Sequence, residues 1–304
     1  MTVEPLVRAT DLTKRFGTVT ALDALTIDIP PGRTGLVGAN GAGKTTFFRL
    51  LLGLARPTAG ALEVGGRVVT ADPIGVRAII GYMPEHDCLP PDQTAADVVA
   101  TFGELSGLPS RAARQRASDV LDLVGLDEER FRPIGGFSTG MKQRTKLAQS
   151  LVADPQLLLL DEPTAGLDPG GREEMLALVA RVGTFGISVL MATHLLDDVQ
   201  QVCDNVVMLD GGRLVVAGAT EGLVERTGML IVEVGERGAD LVRALEAAGI
   251  HAAQVDDTVE ITIGEAHDVD VTQDTIAELG LPLYRLSNRF RSLDDVFMAA
   301  ARHQ

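Results

Sequence analysis

The nine residues from Gly38 to Thr46, GANGAGKTT, lie between an apolar run ending at Val37 and another opening at Phe47. No other stretch restricts the fold as strongly. Gly38, Gly43, Lys44 and Thr45 satisfy the pattern GxxxxGK[ST], which carries meaning when it follows a strand and opens a helix. The flanks supply that setting: Arg33 to Val37 reads as a strand and Lys44 to Leu54 as a helix. Gly38, Gly41 and Gly43 let the backbone wrap closely enough for its N–H groups to face phosphate oxygens, with Asn40, Ala42 and Thr46 completing the loop. The helix N-terminus adds partial positive charge. In such a cradle Lys44 bridges the β- and γ-phosphates of a nucleotide and Thr45 offers its hydroxyl to Mg²⁺. The bland alternative is a glycine-rich turn with a chance Lys-Thr.

A chain of 304 residues outgrows the about 250 to 300 residues at which single cores stop growing, so two domains are expected. Residues 3 to 37 alternate apolar and polar positions around Gly and Pro, as short antiparallel strands do. Residues 62 to 83 predict two or three further strands, and Pro91 to Ala153 turns helical. LLLL at 157 to 160 reads as a fully buried parallel strand, since four residues between Pro155 and Pro163 are too few for a helix. ISVLMAT at 187 to 193 repeats the design. NVVMLDGGRLVVAG predicts a hairpin, and helices are expected near 170 to 182 and 195 to 203. This order implies a largely parallel sheet flanked by helices, with ligand at the carboxyl ends of its strands. Near Gly218 to Gly228 the pattern restarts, predicting a small α+β sandwich closed by a helix over SLDDVFMAAARH.

Asp161 and Glu162 follow the apolar strand directly. Beside a phosphate loop, the first carboxylate is placed to hold a metal ion and the second to orient or deprotonate the attacking water. Alone, such a pair is more often solvated surface or a helix cap.

The order of further motifs is more telling than any one of them. FSTGM at 137 to 141 opens a helix shortly before LLLLDEP, AGLDP at 165 to 169 follows, and His194 ends the next strand. That series resembles the nucleotide-binding domain of ABC transporters over about residues 4 to 218. The resemblance implies an α/β fold of the P-loop NTPase type, with a mixed, mainly parallel core sheet, an antiparallel β subdomain and a helical subdomain at about 86–153. A nucleotide-binding domain at 1–220 and a small accessory α+β domain at 221–304 are expected. It further implies that Ser138, Thr139, Gly140 and Met141 contact nucleotide bound by an opposing subunit, that Asp168 lies at the dimer seam, and that His194 touches the γ-phosphate. Phe16, in KRFG, matches the family position whose ring stacks on adenine; stacking reads a π-face and leaves GTP open beside ATP. Taken singly, Ser138 reads as an N-cap, Asp168 as a turn residue, His194 as a hydrogen-bonded strand terminus and Phe16 as core.

Two departures stand out. Phe137, Thr139 and Met141 replace the usual Leu, Gly and Gln of the signature, although Ser138 and Gly140 are kept. Glu85, in GYMPE, stands where most members have a Gln facing Mg²⁺; a carboxylate can ligate the ion but cannot donate a hydrogen bond. Both features, with the C-terminal module, resemble the ATPases of ABC-2-type exporters such as the daunorubicin/doxorubicin resistance group. The implied protein is a homodimeric ATP- and Mg²⁺-dependent motor on a separate transmembrane permease, cytoplasmic and peripheral at the inner face of the membrane.

Composition narrows the partners. The formal charge is −15, and residues 221–304 carry 16 acidic against 7 basic side chains, which opposes a nucleic acid backbone. Cys88 and Cys203 form no disulfide framework or metal cluster, which suits a reducing cytosol. No run approaches the about 18 to 20 apolar residues of a membrane span. A soluble ABC-type factor acting on nucleic acid or ribosomes is the second reading, but tandem domains, coiled-coil insertions and basic arms are missing. A P-loop kinase or GTPase gives no reason for the ordered motif series. For the C-terminal module a packing or dimer-stabilising appendage stands beside a regulatory sensor; His251, His267 and His303 are scattered and form no cluster.

Overall fold

β1 (Val7–Phe16) and β2 (Val19–Ile29) carry alternating buried and exposed side chains and pair antiparallel, as strands with one solvated face do. They are longer than the short strands expected. The computed structural model describes residues 4–223, 226–262 and 267–290. Next come β3 (Arg33–Val37) and the helix α1 (Lys44–Leu51), then β4 (Ala59–Val64) and β5 (Arg67–Val68), which complete a sheet in the order β2-β1-β4-β5. A short helix, α2 (Pro73–Arg77), interrupts the stretch read as strands. Its signal lies in Asp72-Pro73: the Asp72 carboxylate accepts from Gly75 N–H at 2.9 Å and Pro73 opens the helix, the usual cap followed by a residue without a donor to lose.

β6 (Ile80–Met83) leads into α3 (Ala95–Leu105), α4 (Ser110–Leu123) and α5 (Thr139–Leu151), followed by β7 (Leu157–Asp161), α6 (Pro169–Gly183), β8 (Ser188–Thr193), α7 (Leu196–Val202), β9 (Asn205–Asp210) and β10 (Arg213–Ala219). The core sheet runs β10-β9-β3-β8-β7-β6, parallel throughout except for β10 at one edge. Every residue of β7 and β8 is buried, which explains their unbroken apolar runs: both faces of a parallel sheet are covered. Among the described residues no helix is long and apolar enough to cross a membrane.

Contacts divide the chain between Thr220 and Glu221, within α8 (Thr220–Leu223). The second unit contains β11 (Arg226–Glu233), α9 (Gly238–Ala247), β12 (Ala252–Val255), β13 (Thr258–Thr262), α10 (His267–Glu278) and β14 (Arg285–Phe290), in the sheet order β12-β13-β11-β14 with every pair antiparallel. This is a split β-α-β sandwich around Leu230, Val232, Leu241, Leu245, Val259 and Ile261. Sequence reading misses β12, whose four residues AAQV are mostly exposed and show no alternation of apolar and polar positions. The helix expected over SLDDVFMAAARH lies outside the described residues.

One contact in the first unit tolerates no side chain. A Cβ on Gly81 of β6 would stand 2.0 Å from the backbone oxygen of Ser150, at the end of α5, and a backbone atom cannot swing aside. Gly81→Ala is therefore expected to lower the unfolding free energy by about 1 to 3 kcal/mol, the usual cost of overpacking; urea unfolding followed by circular dichroism measures it.

Candidate active site

Four parallel strands, β3, β6, β7 and β8, deliver their carboxyl ends to one edge of the core sheet. The turns leaving them line an open cleft of about 230 Å³ with Asn40 to Thr46, Glu85, Asp161, Glu162, Ala165 and His194 on its walls. The glycine loop owes its path to close contacts: a Cβ on Gly38 would lie 2.4 Å from the Leu209 carbonyl oxygen. Gly43 enters α1 at φ 107°, in the left-handed region that suits glycine, and no side chain caps the helix there. The first N–H groups of α1 thus open toward the loop, as anion-binding helix termini do.

Lys44, Asp161 and Glu162 are 6%, 3% and 7% exposed. The Lys44 ammonium donates to Gly38 O at 2.6 Å and lies 3.7 Å from Glu162 Oε1. Glu162 itself sits at φ 48°, its N–H bonded to Ala192 O at 2.9 Å, while Oε2 meets His194 Nδ1 at 3.0 Å. A non-glycine residue in that backbone region is uncommon and is held there only by its surroundings. The Leu195 N–H donates to Thr193 Oγ1 at 3.0 Å and so turns the chain just past β8, where His194 projects. Asp161 accepts from the Tyr82 hydroxyl at 3.5 Å. Burial, and after it the charges of Glu85 and Glu162, push its carboxyl up to about 6; burial and Asp161 push the Tyr82 hydroxyl up to about 12.

Among the described residues no three His, Cys, Asp or Glu side chains converge tightly enough to hold a metal ion by themselves. The donors suit a small divalent ion that takes one or two carboxylates and fills its remaining positions with phosphate oxygens and water. Asp161, crowded by its acidic neighbours, is the group that such an ion would relieve.

The signature segment lies elsewhere. Ser138 to Met141 and Gly166 to Asp168 line a second cleft, of about 640 Å³, with no residue in common with the first. Ser138 caps α5, its Oγ accepting from Met141 N–H at 3.3 Å, and Asp168 caps α6, accepting from Gly171 N–H at 3.1 Å. Phe16 is exposed at the end of β1, with the Lys14 ammonium 4.7 Å from its ring centre; it is not core, and it does not line the first cleft.

Several residues that shape these walls escaped the sequence reading. Gln143 donates to Ala165 O at 3.1 Å, and Lys146 donates to the carbonyls of Pro84 and Glu85. Both sit on α5, which reads as an ordinary polar helix; only their spacing of three residues was a signal. Asp198, fully buried, accepts from Thr164 Oγ1 at 2.7 Å and from Arg172 Nε at 2.5 Å, tying α7 to the segment after Glu162 and to α6. Within LDDVQ nothing marks this acid as buried.

A glycine cradle at the carboxyl end of parallel strand β3, faced by paired acids from the end of β7 with β8 between the two strands, defines a P-loop NTPase. Residues 22–165 match the sequence profile described as ABC transporter. The "Nod factor export ATP-binding protein I" of Ralstonia nicotianae is 32% identical over 97% of this chain and 93% of its own, and the "Daunorubicin/doxorubicin resistance ATP-binding protein DrrA" of Streptomyces peucetius is 33% identical over 98% and 92%. The chain belongs to the ABC transporter ATP-binding family and is an ATPase. Among solved structures, cbiO1 from Clostridium perfringens, titled as part of the ABC transporter complex cbiONQ, aligns with a TM-score of 0.67 at 28% identity, over 72% of this chain and 90% of its own. The cassette MJ0796, titled as a dimeric post-hydrolysis state bound to ADP and Pi, shares the fold at 22% identity and TM-score 0.64.

Asp198→Ala should lower stability by about 1 to 3 kcal/mol, because Thr164 and Arg172 lose a buried acceptor while Arg172 can still turn to water. Asp198→Asn, which keeps an acceptor for Thr164, should cost less. Thermal denaturation of the two variants, compared in one buffer, gives the ranking.

Proposed function

We propose that this chain is the motor subunit of an ABC-2-type exporter, working as a homodimer on a separate transmembrane permease at the inner face of the cell membrane. The observation that carries the dimer is the separation of the two clefts: phosphate cradle and signature turn lie in one unit, yet share no lining residue. A second copy, related by two-fold symmetry, would bring its Ser138 to Met141 over the first copy's cradle, with Asp168 at the seam.

In this reading the loop from Gly38 to Thr46 holds the phosphates by backbone N–H groups and Lys44. Thr45, Asp161 and Glu85 hold Mg²⁺, which when bound neutralises developing charge on the phosphates. Glu162 takes the proton of the attacking water, and His194, 3.0 Å from it, fixes the direction of its carboxylate. Phe16 offers a ring face to the base. Residues 86 to 136 face the permease, and the unit from residue 221 is an accessory domain. Export is supported by the names of the relatives rather than by any residue of this chain. The soluble nucleic-acid factor finds no support in those relatives or in the charge.

Mixing variants tests the shared site. Lys44→Ala and Ser138→Arg chains should each be nearly inactive alone. Their mixture should recover ATPase activity, because a mixed dimer keeps one pocket with an intact cradle and an intact cap. Absence of recovery, in a mixture shown by light scattering to form dimers, would sink the shared site. Glu162→Gln should lose about 10²- to 10⁴-fold in turnover, the usual worth of a general base, while still binding ATP.

A further inference from the structure

Two of the chain's four lysines sit one turn apart on α5, at 142 and 146. Lys146 is 3% exposed, a costly place for an ammonium. Its Nζ donates to Pro84 O at 2.8 Å and to Glu85 O at 2.9 Å, while Lys142 Nζ pairs with Asp87 Oδ2 at 2.9 Å. Past Met83, where β6 ends, Glu85 to Cys88 are exposed and have no regular structure. Among the described residues, the hydrogen bonds joining 84–88 to another element come from these two lysines. On its next face α5 also holds the opposite wall of the phosphate cleft, through Gln143 and Ala165 O at 3.1 Å. An apolar side chain of similar length would fill the space around Lys146 without desolvating a charge. What an apolar residue cannot do is grip two carbonyls.

We propose that Lys146, assisted by Lys142, is a positioning residue: it fixes the backbone of Pro84 to Asp87 on the signature helix and so sets where the Glu85 carboxylate stands at the phosphate cleft. The cation affinity of a chain's own pocket and the placement of its Ser138 turn are then governed by one rigid helix. This deepens the nucleotide reading of the cleft and rests on it.

The test uses the full chain, a non-hydrolysable ATP analogue and Mn²⁺ followed by electron paramagnetic resonance. Lys146→Met should raise the Mn²⁺ half-saturation by about tenfold, the usual cost of losing an outer-shell partner of a metal site, and leave analogue binding in EDTA unchanged. Lys146→Arg, which can still donate to both carbonyls, should recover most of the loss. On a Glu85→Ala background the Lys146 substitution should cost nothing further, which a general loss of packing would not reproduce. Should Lys146→Met not fold, Lys142→Ala decides through the same cycle, with a shift of about two- to threefold, the worth of an exposed ion pair. An unchanged half-saturation in a folded variant, or an equal loss with and without Glu85, overturns the proposal. If the wild-type chain binds no analogue at all, the nucleotide reading itself has failed.

Discussion

Three charged groups, Lys44, Asp161 and Glu162, are almost wholly removed from water at one edge of the core sheet, and the first unit is organised around making that tolerable. Stripping a charge of solvent is expensive unless partners stand in for water. Here a lysine faces a glutamate across 3.7 Å, a histidine meets the same glutamate, and a tyrosine hydroxyl addresses the aspartate. The remaining imbalance falls on Asp161, whose pKa is raised first by burial and then by the two carboxylates nearby. Such a site is poised for a cationic visitor carried in with phosphates. Its walls come from four different strands because parallel strands all end on the same side.

The second organising element is α5. Its first turn belongs to the signature cleft, while Gln143, Lys142 and Lys146 hold the two walls of the other cleft. Asp198 fastens the segment after Glu162 to α6 and α7. Chains of hydrogen-bonded side chains on rigid helices are the physical means by which distant surfaces share a fate. The second unit has its own core and a different architecture.

Legibility followed the strength of local constraints. The cradle, the buried strand ending in Asp161 and the hairpin of β9 and β10 were readable because glycine, unbroken apolar runs and Gly211-Gly212 have few structural meanings. The helix α2 was missed although Asp72-Pro73 announced it, since five residues hold too little periodicity to compete with flanking strands. β12 was invisible because an edge strand with three exposed residues has no apolar pattern. The carboxylates and His194 were legible from motif order, but their mutual distances were not. Lys146 and Asp198 escaped for a deeper reason: a charged residue on a helix is solvated in most proteins, and only packing from distant parts of the chain decides otherwise.

Ser138 and Asp168 have two employments, as caps of α5 and α6 and as lining of the second cleft. Helix caps are guarded by selection for stability alone, at about 1 kcal/mol each. A descendant that had lost its catalytic trade would still keep both residues so long as it needed to fold. Their persistence in a lineage is therefore no witness to activity, whereas Glu162, held at φ 48°, caps neither of those helices.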